Sequence, residues 1–409
     1  MLIISKIKKA LIVALSLGLS SSVYAQSSTT QSINTQNASA QIVDSTQLTV
    51  EELRLDKALA AMPDVAPRLS ARVDNLSNQL IKVTNYVALT KLVVEHSKGL
   101  WLDAKQSFVQ SHDYDDRPLY WARLQMTKVV RSAKIFAKLL PEQQTKLLWT
   151  LELLSRGQMD IKFDKKADKK ILLTGFDPFF LDRNIDQSNP SGVVALSLDD
   201  VVVNMDGQTA EIEVLIVPVR FSDFDQGMIE ALLAPYIKHK SVDMVLTVSM
   251  GRENFDLERY PALRRSANAP DNLNIFTGAT KQNPLVPKLK SALLQGPEFV
   301  EFSLPIAAMQ KGEGKYMVND NRKIATLSAG AFEGQSLADI VKQTSVSGSG
   351  GGYLSNEVSY RSILLRNQYN PTLPVGHIHT PRIKAFEQQA LKDIVEQTKS
   401  IITQGVGQL

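Results

Sequence analysis

Apolar positions recur at helical spacing through the first third of the chain and then give way to short continuous runs, so the pattern predicts a helical region followed by alternating strands and helices. Thr49-Val50-Glu51-Glu52 has the form of a capping box and leads into Leu53, Leu55, Leu59 and Met62, a partly amphipathic helix. A long apolar-periodic segment spans residues 65 to 98. Asp115-Asp116-Arg117-Pro118 then sets acids and a proline at a helix start, ahead of Leu119, Ala122, Met126, Val129, Val130, Ala133 and Phe136 at near-helical spacing. A further helix is predicted over 141 to 156, ended by Gly157. Residues 49 to 160 therefore read as an all-helical domain.

The period changes at Lys169. The run Ile171-Leu172-Leu173-Thr174 reads as a buried strand, ended by Gly175 and the turn residues Asp177 and Pro178. Residues 210 to 221 and 242 to 250 are further apolar strands. Between them, residues 223 to 239 carry Met228, Ile229, Leu232, Leu233 and Ile237 on one helical face. Strands are also expected over 298 to 306, near Thr344, and over 375 to 380, with a closing helix over 384 to 403. Strands alternating with helices predict an α/β domain over 169 to 409, a mostly parallel sheet flanked by helices. In such sheets ligands sit beyond the carboxyl ends of strands, which directs attention to the loops after Thr174, Met250, Thr344 and Thr380.

Composition adjusts this picture at the amino terminus. Lys6, Lys8 and Lys9 precede an apolar run from Ala10 to Leu19, and Val23-Tyr24-Ala25 supplies small residues at a cleavage point, the form of a secretory signal peptide over 1 to 25. That reading makes the protein exported, periplasmic or extracellular. Residues 26 to 48, rich in Ser, Thr, Gln and Asn, read as a disordered leader. The first 25 residues hold three lysines and no acids, so without them the net charge falls from +4 to +1. No Lys/Arg stripe of the density that nucleic acid demands remains. No later segment has the uninterrupted apolar length of a membrane span. Cysteine is absent, which excludes disulfides and a thiol nucleophile.

Three stretches carry candidate chemistry. Residues 347 to 360, SGSGGGYLSNEVSY, combine four glycines with Ser355 at an apparent helix start, where an Oγ would stand beside backbone donors. The plain alternative is a flexible linker ending in an N-cap. His377 and His379 occupy alternate positions of a strand and share a face. They are open to a catalytic reading or a metal reading, though no third ligand stands at a recognisable spacing. His96, His112 and His239 read as surface residues. The stretch after Met250 carries Glu253, Asp256, Glu258, Asp271, Arg252, Arg259, Arg264 and Arg265, read as a charged loop.

From Lys170 to about residue 382 the chain resembles the pyroglutamyl peptidases, thiol hydrolases that remove an N-terminal pyroglutamate. The segment ILLTGFDPF, Asn189-Pro190, Gly251-Arg252, Leu257-Glu258-Arg259 and Pro270-Asp271-Asn272 fall in step with that family's motifs. Tyr353-Leu354-Ser355-Asn356 overlays the segment of the nucleophile, and Gly376-His377-Ile378-His379-Thr380-Pro381 that of the catalytic histidine. The resemblance implies a triad of Ser355, His379 and Glu258. It places an apolar pocket for a lactam ring on Phe176 and Phe179, with Asn268 where the family has an arginine. It implies a peptide or small amide substrate, no cofactor and no metal. Serine stands where the family has cysteine, the loop after Val248 is shorter, and residues 273 to 346 are rebuilt. Two functions follow: a serine hydrolase cleaving a pyroglutamyl or related amide, or a non-catalytic periplasmic binding or scaffolding protein on the same fold.

Overall fold

The computed structural model describes residues 48–409, so the segment expected to be a signal peptide and nearly all of the expected leader fall outside the described residues. Its centre is a seven-stranded sheet. In chain order the strands are β1 (Lys169–Phe176), β2 (Val201–Met205), β3 (Gln208–Val217), β4 (Met244–Met250), β5 (Phe255–Glu258), β6 (Val318–Asn321) and β7 (Val375–Thr380). They lie in the order β2-β3-β1-β4-β7-β5-β6. The pairs β3–β1, β1–β4, β4–β7 and β5–β6 are parallel, whereas β2–β3 and β7–β5 are antiparallel. The α/β class with a mostly parallel sheet flanked by helices is therefore present. β4 and β7 are buried almost throughout, as strands in the middle of a sheet covered on both faces are.

Helices cover the sheet in pairs. Pro190–Leu198 and Gln388–Val406 pack together over β1, β2 and β3, while Met228–Lys238 and Leu354–Tyr369 pack together, the latter against β4 and β7. The amino-terminal region is helical, with Ser70–Leu80, Tyr86–Ser111, Arg117–Ser132 and Pro141–Leu154 as its main elements. The capping box at Thr49 forms: its hydroxyl accepts from the Glu52 N–H while Glu52 accepts from the Thr49 N–H. The apolar core runs without a break from these helices into the sheet.

Several expectations need correction. Residues 298 to 306 form no strand of the sheet. Phe299, Val300, Phe302 and Leu304 are buried, but Pro297 and Pro305 bound the segment and it makes only scattered backbone bonds, such as Ser303 N–H to Val375 O at 3.0 Å. The strand near Thr344 is Ser345–Ser347, which joins a separate three-stranded sheet. Asp256 and Glu258 lie on β5, inside the main sheet and buried, not on a charged loop. His96 is 1 % exposed within the helix Tyr86–Ser111, and burial, then Arg72, hold its imidazole below its ordinary range. Leu53, taken as part of an apolar face, is exposed, because the helix breaks after it and restarts at Leu55.

Candidate active site

Two neighbouring strands meet at the site. β7 carries His379, β5 runs antiparallel beside it with Asp256 opposite His379, and Glu258 follows at its end. Glu258 is fully buried and its Oε1 lies 2.5 Å from His379 Nδ1. Its Oε2 accepts from Asn321 Nδ2 at 2.9 Å, and the same amide reaches Ser349 O at 3.1 Å. Asn321 stands opposite Glu258 in the β5–β6 register. Both carboxylate oxygens thus have hydrogen-bond partners, as buried polar atoms generally do. Nδ1 is committed to the carboxylate, which leaves Nε2 as the imidazole nitrogen without a hydrogen bond among the described residues.

His377 plays a different part from His379 although the two share a face, their rings 4.8 Å apart and nearly perpendicular. His377 is fully buried, with Nδ1 2.8 Å from Thr247 Oγ1 and Nε2 2.8 Å from Ser249 Oγ. Burial, then the neighbouring His379, push its pKa well below the usual histidine value. A neutral imidazole held between two hydroxyls is a packing element with satisfied polar atoms.

The glycine-rich stretch is not a linker. Gly348 and Gly351 exchange backbone hydrogen bonds at 2.9 Å each way, and Gly351 has φ +91°, a conformation that favours glycine. Asn356 locks the following helix by accepting from Ala262 N–H at 2.9 Å and donating to Ala262 O at 2.7 Å. The helix Leu354–Tyr369 has Tyr353 as its N-cap, so Ser355 lies in its first turn. The N–H groups of that turn have no intrahelical acceptor and concentrate the positive end of the helix dipole around the hydroxyl. Ser355 is half-buried, and its Oγ donates to Gly350 O at 3.2 Å. A Cβ built on Gly350 would lie 3.6 Å from His379 Cε1, so Ser355 and His379 border the same glycine. Gly251 closes over the imidazole from the other side, where a Cβ would come within 2.6 Å of His379 Cβ.

A cavity of about 240 Å³ opens beside Ser355. Phe176, Phe179, Phe180, Val219, Met250 and Tyr353 supply its apolar walls, and Asn189 and Arg382 add polar groups. Its size suits a small ring, below the roughly 300 Å³ at which pockets for larger organic ligands begin. Phe176 also belongs to the core, stacked on Phe224. Asn268 is exposed and stands outside the lining, whereas its neighbours Ala267 and Ala269 face the cavity. Of the residues proposed from sequence, the structure brings Glu258 to His379 and Ser355 to Phe176 and Phe179. It does not bring Asn268 into that group.

Sequence reasoning passed over the groups that hold this site. Asp177, directly after β1, takes Arg123 Nη1 at 2.8 Å and Arg156 Nη1 at 2.7 Å, all three buried. Arg156 also chelates Glu152, which Arg220 reaches at 2.7 Å from the loop after Val219. Asn272 donates to Pro178 O and Asp271 accepts from Phe221 N–H, so the Pro-Asp-Asn motif ties the cavity loops together. Asp116 accepts from Ser188 Oγ at 2.6 Å and from the Asn189 N–H, which fixes the start of the helix at Pro190. Residues of the helical region thus brace the cavity walls. The one available signal was that Arg123 falls on the apolar face of its helix, four residues after Leu119 and three before Met126.

Comparison with known proteins follows this division of the chain. Residues 32–152 match the PA0049 N-terminal domain, and residues 170–298 and 335–384 match the PA0049 C-terminal domain. The interruption at 299–334 contains β6 and Asn321. The chain is 27% identical over 390 residues to the uncharacterized protein PA0049 of Pseudomonas aeruginosa, an alignment covering 73% of this chain and 70% of that one. Similar solved structures include a mutant pyrrolidone carboxyl peptidase from Pyrococcus furiosus, at 22% identity and a TM-score of 0.41, covering 59% of this chain and 99% of that one. The pyrrolidone carboxyl peptidase of Thermococcus litoralis shows 19% identity and a TM-score of 0.40, over 58% of this chain and 94% of its own. The chain matches, in order, both the N-terminal and the C-terminal domain of PA0049.

Proposed function

We propose that the protein is an exported serine hydrolase that cleaves an N-terminal pyroglutamyl or related cyclic amide. One observation carries the reading: a buried Glu258 hydrogen-bonded at 2.5 Å to His379 Nδ1, with Ser355 in the first turn of a helix beside it. An acid on one imidazole nitrogen fixes the tautomer and stabilises the imidazolium that forms when the other nitrogen takes a proton. The motif resemblance and the apolar cavity at Phe176 and Phe179 support a small lactam as the group recognised.

In the proposed reaction the Ser355 hydroxyl leaves Gly350 O and turns to His379 Nε2. Its oxygen attacks the amide carbonyl as its proton passes to the imidazole. The first-turn N–H groups hold the oxyanion. Collapse breaks the C–N bond, and His379 returns the proton to the leaving amine. Water then enters by the same base and releases the acyl group from Ser355, which regenerates the hydroxyl.

A second reading, binding without turnover, draws on one observation: Ser355 Oγ donates to Gly350 O and makes no hydrogen bond to His379. Offering the purified protein a fluorogenic pyroglutamyl amide, with a panel of other acyl amides and esters, separates the two. Turnover abolished in both Ser355→Ala and His379→Ala supports the hydrolase. Ligand binding that is equal in wild type and Ser355→Ala, without turnover of any substrate, supports the binder and overturns the hydrolase.

A further inference from the structure

Away from the cavity, four carboxylates gather where the helical region meets the sheet. Asp199 and Asp200 follow the helix Pro190–Leu198, Glu213 projects from β3, and Asp160 follows the last amino-terminal helix. Lys105 Nζ pairs with Asp199 Oδ2 at 2.5 Å, Asp160 Oδ2 at 2.6 Å and Asp200 Oδ2 at 2.7 Å. A single ammonium thus faces four acids. It does not pair with Glu213, whose side chain is 1 % exposed and whose two oxygens have no hydrogen-bond partner among the described residues.

A buried carboxylate without a donor is unstable as an anion unless a cation reaches it. Ligand oxygens of Asp199, Asp200 and Glu213 all lie within 4.8 Å of one another. Three carboxylates suit calcium, which takes six to eight oxygens in flexible geometry, better than magnesium, which keeps several waters and takes one or two carboxylates. Asp200 is exposed and offers an approach from solvent, and Asp199 Oδ1 is oriented by the Val214 N–H at 3.1 Å. We propose that Asp199, Asp200 and Glu213 form a binding site for a hard divalent cation of the calcium type, which clamps the helix Pro190–Leu198 to β3 next to Lys105.

The site is read out without any assay of catalysis. Trp101 Nε1 donates to Asp160 at 2.8 Å and places an indole at the edge of the cluster. Chelator-treated full chain is titrated with calcium chloride, and separately with magnesium chloride, by calorimetry and tryptophan fluorescence. Saturable calcium binding is expected, accompanied by a rise in Tm. The near-isosteric Glu213→Gln and the exposed Asp200→Asn should each weaken it by about tenfold or more. Absence of saturable calcium binding, preference for magnesium, or calcium binding unchanged in Glu213→Gln in a folded protein overturns the proposal.

Discussion

Asp177 and Glu258 are both buried carboxylates at the ends of sheet strands, and they face opposite kinds of partner. Asp177 meets two guanidinium groups, Arg123 and Arg156, a group that keeps its charge in proteins. Glu258 meets an imidazole and an amide, and imidazole is the side chain that most often accepts and donates protons in catalysis. The first arrangement fixes loops; the second is suited to moving a proton. Burial and a short contact are common to both, so the partner's titration behaviour is what separates bracing from chemistry.

Substitution should expose that difference. Glu258→Gln keeps the shape and removes the charge that stabilises imidazolium, so kcat on an amide substrate is expected to fall by about 10⁴-fold with Tm changed little. Asp177→Ala should do the reverse. It strands two buried guanidiniums, at a cost of about 3–5 kcal/mol in stability, read from chemical denaturation. An Asp177 variant as stable as wild type would break the contrast.

Asn321 sharpens the comparison from the catalytic side. Its amide holds the second oxygen of Glu258 at 2.9 Å, so Asn321→Leu is expected to lower kcat by about tenfold to a hundredfold, as outer partners of polar sites do. An unchanged kcat with lowered Tm would reduce Asn321 to a packing residue.

The smallest effect concerns acids that lack adequate partners. Burial pushes Asp116 and Glu213 up to about 8 and Asp199 up to about 7. Folded carboxyls then keep protons that the unfolded chain has released, so these groups make stability fall as pH rises from about 4 towards 8. In metal-free buffer Glu213→Gln should flatten that fall by on the order of 1–2 kcal/mol between pH 6 and 8, measured by denaturant titration at several pH values. Equal slopes in variant and wild type would contradict it.

What could be read from sequence divides along the same physical line. β1 and β4 were legible because buried parallel strands are largely apolar runs, and the shared face of His377 and His379 on β7 follows from the strand period alone. β5 and β6 were not, since Phe255–Glu258 and Val318–Asn321 are four residues each and rich in polar groups that serve one another across the sheet edge. Residues 298 to 306 have the apolar content of a strand, and packing used that content without a ladder. The charge braces at Arg123, Arg156 and Arg220 were invisible because nothing local distinguishes a buried arginine from a solvated one until its carboxylate arrives from elsewhere in the chain. Asn321 lies 63 residues from Glu258, so only the β5–β6 register brings the two together.

The account rests on Ser355 being an activated nucleophile, and covalent labelling tests that directly. The purified protein is incubated with a fluorophosphonate and examined by intact-mass and peptide mass spectrometry. A single stoichiometric adduct on Ser355 is predicted, absent in Ser355→Ala and formed far more slowly in Glu258→Gln and His379→Ala. An unlabelled chain, or a label on Ser355 whose rate is indifferent to Glu258 and His379, would contradict it.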